Sequence, residues 1–159
     1  MITLIDMRVN PFVAYPEFRM IWLGRDDAPE GDAVDYIEGR LPEDRKFLIC
    51  KDAEVVGMTG YWPLDKGRVA LAWTGVVPSQ WGQGIWREAF ALLLERLPES
   101  IKYVVEPMPQ DRIAELAPLY ERLGFINTGK VMDHPELYDK VTWIEFVYEI
   151  KSATGAPSE

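Results

Sequence analysis

The chain has 159 residues, 48% of them hydrophobic and 27% charged, with a formal net charge of −9. That size and balance predict one soluble domain with a real core, over residues 1–151. One cysteine allows no internal disulfide, one cysteine with one histidine excludes a Cys/His zinc site, and the negative charge disfavours nucleic acid. No metal is expected. No apolar run approaches ~18 residues, so no membrane partner is expected. The N-terminus lacks a basic region before an apolar core, so no signal peptide is read, and the expected location is cytoplasmic. Cys50 lies in an apolar, strand-like run and reads as core.

Met1 to Val9 reads as a first strand, broken by Pro11. Pro16 suits a first helical turn, with Phe18, Ile21 and Trp22 at helical spacing and Gly24 as the stop. A polar loop, Arg25 to Asp32, leads to a second helix, which ends at Pro42. Lys46 to Lys51 and Val55 to Trp62 read as a hairpin around a turn at Lys51 to Glu54. Gly57 and Gly60 weaken the second strand or mark bulges. Arg68 to Val77 is a further strand, terminated by Pro78. A helix from Gln83 to Leu97 carries a broad apolar stripe of Ile85, Trp86, Ala89, Phe90, Leu93 and Leu97. Ile101 to Glu106 is a short strand bounded by Pro107 and Pro109. Asp111 to Leu123 is helical, with Gly124 as its cap, and Pro118 should kink or restart it. Phe125 to Met132 and Val141 to Ile150 are strands. Residues 152–159 read as a disordered tail. The order is β-α-α-β-β-β-α-β-α-β-β, an α/β fold around one mixed sheet.

The stretch from Val76 to Arg87 joins a strand to a helix through Gly82 and Gly84. Glycines let backbone approach a ligand closely, and a helix start offers unpaired N–H groups and a positive dipole end. Either a phosphate-bearing ligand sits at residues 81 to 87, or the glycines serve a plain turn.

Three pieces in order resemble the GNAT superfamily of acyl-CoA N-acyltransferases. These are Gly75-Val76-Val77-Pro78-x-x-Trp81-Gly82-Gln83-Gly84, Leu119-Tyr120-Glu121-Arg122-Leu123-Gly124-Phe125, and the turn into a strand at Asn127 to Val131. The first looks most like the branch that acetylates protein N-termini, such as those of ribosomal proteins. Trp81 stands where the family has Arg or Gln, and Trp86 where it has Gly or Ala.

The resemblance implies a GNAT fold and acetyl-CoA as co-substrate. Its diphosphate would lie on Trp81, Gly82, Gln83, Gly84, Ile85, Trp86 and Arg87. Its pantetheine arm would run beside Val76 and Val77. Tyr120 would be the general acid for the departing thiolate. Relatives often carry a basic carboxylate on the strand at residues 69–77. This chain has none there, and Glu106 is the candidate base, through water. An Asn of relatives is replaced near Ile113. The acceptor would be a small-molecule or peptide amine, drawn by the acidic stretch from Asp26 to Glu38 or met by His134. Trp62 and Trp73 would line its pocket or fill the core. The alternative is an inactive module that binds acyl-CoA or a protein partner, and a homodimer stays open.

Overall fold

The computed structural model of the protein describes residues 1–8, 43–72, 74–134, 137 and 141–151. The two helices expected before Pro42, the acidic stretch, Trp73 and the tail lie outside the described residues. The chain mixes strands and helices as expected and gathers into two compact units. The first comprises Met1–Pro63 and Leu71–Leu97, the second Leu64–Ala70 and Pro98–Glu159.

β1 (Ile2–Asp6), β2 (Arg45–Lys51) and β3 (Glu54–Asp65) pair antiparallel in that order, and the residues that pair, as far as Tyr61 on β3, belong to the first unit. Asp52 and Ala53, at φ 51° and 73°, make the tight turn between β2 and β3. The register slips between Ile49 and Cys50, so Val56 is an extra residue on β3 and Gly57 sits beside a bulge. Gly57 has a second reason to be glycine. A Cβ there would lie 2.6 Å from the Gly75 carbonyl oxygen. Gly60 is likewise crowded by the Arg45 carbonyl. Cys50 is buried, and burial raises its thiol pKa, which keeps it inert core.

The strand expected over residues 68–77 is two strands. β4 (Arg68–Leu71) pairs parallel with β6 (Tyr103–Pro109), through Arg68–Ala70 against Tyr103–Val105. β5 (Gly75–Val76) pairs instead with Gly57 and Met58 of β3. The break reflects partner choice, to which apolar periodicity within one strand is blind.

Helix α1 (Ile85–Glu95) buries Ile85, Trp86, Ala89, Phe90 and Leu93. Just past its end Arg96 donates to the Leu4 carbonyl at 2.9 Å and lies 5.1 Å over the Phe47 ring, tying the helix to β1 and β2.

In the second unit β6 does not stop at Glu106 but runs through both prolines. Gln110 N–H donates to Thr142 O and Ile150 N–H to Lys102 O, so even-numbered residues of β6 bond to β8 (Trp143–Glu149). The odd-numbered residues present their backbone groups to the opposite side. Tyr103 and Val105 meet β4 there. Pro107 and Pro109, which have no N–H, fall just past the last parallel pair, where no ladder demands a donor. Proline therefore ends the pairing with β4 without ending the strand. Helix α2 (Ile113–Leu123) follows, then β7 (Ile126–Met132), antiparallel to β8. The helix passes through Pro118 as one element. Ala114, to whose carbonyl Pro118 cannot donate, is exposed, as is Pro118, so the break in the ladder lies on the solvent side of the helix. Buried Glu145 on β8 is held by Arg68 at 3.0 Å and by the Thr128 hydroxyl at 2.8 Å.

Candidate active site

The Val76–Arg87 stretch lies in the first unit. Pro78–Gln80 forms one tight helical turn, closed by Gln80 N–H to the Val77 carbonyl at 2.9 Å. This turn brings residue 81 back over residue 76. The indole N–H of Trp81 donates to the Val76 carbonyl at 2.7 Å. Gly82 and Gly84 have φ 80° and 74°, a left-handed backbone that side chains disfavour, and among the described residues no atom beyond their chain neighbours lies within 4 Å of a Cβ placed on either. Backbone conformation thus calls for glycine here.

Gly84 precedes α1 and offers no side-chain cap. The first helical bond is Glu88 N–H to Gly84 O, so helix geometry gives the N–H groups of residues 85–87 no acceptor within the helix. Trp86 turns its ring to the buried side, 5.5 Å from Phe90. Arg87 is exposed. Lys51, at the end of β2, donates to the Gln83 side-chain carbonyl at 2.6 Å. An ammonium only donates, so this contact fixes the Gln83 amide with its NH₂ turned away from Lys51. Lysine and amide together then present only donor hydrogens, as an anion requires. Nothing near residue 51 in the sequence signals this, because the partners are separated by thirty-two positions.

The second unit holds the two proposed acid–base groups. Tyr120 sits in the last turn of α2, and the sequence after it fixes its ring. Gly124 adopts φ 113°, its N–H bonds to the Glu121 carbonyl, and Phe125 N–H bonds back to the Tyr120 carbonyl at 3.1 Å. This is the paired C-terminal cap that usually carries an apolar contact across it. Here that contact is Phe125 edge-on to Tyr120, centroids 5.3 Å apart.

Tyr120 and Glu106 of β6 hydrogen-bond through their side chains. Glu106 keeps some solvent contact as a residue, yet its carboxyl lies deep among protein atoms. Burial disfavours the charged acid and raises its pKa to about 8; the Tyr120 bond opposes the rise only in part. Tyr120 moves well above its usual value of 10, through burial first and then the neighbouring Glu106 charge. At neutral pH the phenol therefore keeps its proton, and the carboxyl is mostly neutral. The bond lowers the acid's pKa because the phenol donates to the carboxylate once Glu106 is ionised. No cluster of three metal-ligating side chains occurs among the described residues. Trp62 is buried and His134 half-buried.

A sequence model described as "Acetyltransferase (GNAT) family" matches residues 13–125, more than half of the chain. The chain belongs to the GNAT acetyltransferase family. Solved structures share the GNAT fold. An aminoglycoside 6′-N-acetyltransferase complexed with coenzyme A is 18% identical, covers 96% of this chain and 98% of its own, and has a TM-score of 0.69. A GNAT family acetyltransferase from Elizabethkingia anophelis with acetyl-CoA bound is 18% identical, with coverage 94% and 98% and TM-score 0.64. A spermidine/spermine N-acetyltransferase from Vibrio cholerae is 12% identical, with coverage 94% and 95% and TM-score 0.67. No curated protein matches this GNAT chain by sequence.

Proposed function

We propose that this protein transfers acetyl from acetyl-CoA to a primary amine by direct attack. The hydrogen-bonded pair of Glu106 and Tyr120, in a member of this family, carries the reading. The amine nitrogen attacks the thioester carbonyl, the C–S bond breaks, and Tyr120 gives its proton to the leaving sulfur. Glu106, acting through water, takes a proton from the amine. Holding amine and thioester together supplies much of the rate. The diphosphate binds the N–H groups of residues 82–87, with Arg87 and Lys51 as its cations.

Charge supports the Lys51 role. A protein of net charge −9 needs local positive potential to hold a polyanion. Lys51→Ala raises the KM for acetyl-CoA about fivefold, the size of one solvent-exposed ion pair, with kcat little changed. High salt shrinks the difference, and steady-state kinetics at two ionic strengths measure it.

The acceptor is a cationic amine. The chain's acidity supports this, as do fold neighbours named for aminoglycoside and polyamine acetylation. The Trp81-Gly82-x-Gly84 motif adds peptide N-termini, such as those of ribosomal proteins, to the candidates. Tryptophan at both ends of the glycine motif favours the second reading, a module that binds acyl-CoA without turnover. A CoA-release assay over polyamines, aminoglycosides and basic peptides separates the two. Release with one amine class supports the enzyme. Binding of acetyl-CoA without release from any amine supports the module.

A further inference from the structure

Val77 N–H donates to the Val56 carbonyl at 2.8 Å, continuing the antiparallel register that sets Gly57 opposite Val76. Along such a strand, successive residues turn their backbone groups to opposite sides. Val77 faces β3, so the N–H and C=O of Val76 both face away from β3, on the side of β5 that pairs with no strand among the described residues. A ligand arm carrying amides would add itself to β5 through these two groups. The carbonyl is already bonded to the Trp81 indole.

That indole is in an unusual position. Trp81 is 61% exposed, so burial does little to hold it. Its N–H bond to Val76 is its anchor, delivered by the single turn at Pro78–Gln80.

We infer that Trp81 sets cofactor affinity by competing for the Val76 carbonyl: the indole occupies the strand edge in the free protein and yields it to the amide-bearing arm of CoA. This rests on the acetyl-CoA reading above. It assigns Trp81 a role opposed to binding, although the residue stands within the phosphate loop. Because the bond is local, the competition concerns the arm and leaves the nucleotide end alone.

W81F keeps an aromatic ring and removes the donor. By calorimetry W81F binds CoA about three- to tenfold tighter than the unsubstituted protein, the worth of one hydrogen bond no longer displaced. Adenosine 3′-phosphate 5′-diphosphate, which has the phosphates but no arm, binds both proteins equally. CoA also changes the indole emission of the unsubstituted protein, and W81F loses the part due to residue 81. Equal or weaker CoA binding by W81F overturns the inference while the cofactor reading stands. So does equal tightening toward both ligands, which would reflect the loop as a whole. No CoA binding by either protein defeats the cofactor reading and this inference with it.

Discussion

Tyr120→Phe lowers kcat for acetyl transfer by about 10²- to 10³-fold, in the range for loss of a positioned proton donor. The KM for acetyl-CoA stays within about twofold, since a phenol acting on the departing sulfur stabilises the transition state more than the bound substrate. Packing is retained: the ring still meets Phe125 edge-on, and the backbone cap at Gly124 is untouched. A second effect separates chemistry from architecture. The phenol's bond to Glu106 holds that carboxyl's pKa down against burial. Without it the pKa rises further above 8, and the pH profile of the residual activity shifts toward alkali. A Phe variant with normal kcat and an unmoved profile would remove Tyr120 from the mechanism.

Glu106→Gln has the other large effect, and pH reveals it. A base works ionised, and the fraction ionised grows as pH rises through about 8. Activity of the unsubstituted protein therefore climbs through that pH and then levels. Glu106→Gln loses about 10²-fold or more at pH 9 and shows no inflection near 8. Its amide oxygen still accepts from the phenol, so Tyr120 keeps its partner in the variant.

Stability moves in the matching direction. The ordinary carboxyl pKa is 4.5 and the folded one is about 8. Between these values the unfolded chain releases the proton while the folded chain keeps it. Folding stability from this group is full below 4.5 and falls as pH rises to about 8. The Gln variant lacks that loss, so its Tm relative to the unsubstituted protein rises between pH 4.5 and 8. A Tm difference flat across that window would show that the carboxyl does not titrate near 8.

Features written within a few adjacent residues were legible from sequence. Gly124 and Phe125 after Tyr120 specify the cap and ring contact, because the left-handed glycine and its apolar neighbour are local requirements. The α1 stripe, with Trp86 on its buried face, follows from helical period alone. The family match accords with the motifs at the glycine loop and the α2 ending.

Other features depend on which strand lies beside which. Proline after Glu106 reads as a stop, yet β6 continues, because the prolines face the side where pairing with β4 has ended. Whether residues 68–77 make one strand or two depends on β5 choosing β3. Lys51 meets Gln83, and Trp81 meets the Val76 carbonyl, only once the turn and the β2 end are built. The sequence by itself determined the α1 stripe, the cap that ends α2 and the left-handed backbone of the glycine loop, because each is a local requirement. Tertiary structure alone decided the burial that lifts Glu106 toward neutrality, because a carboxyl's charge state is set by the protein packed around it and not by its neighbours in the chain.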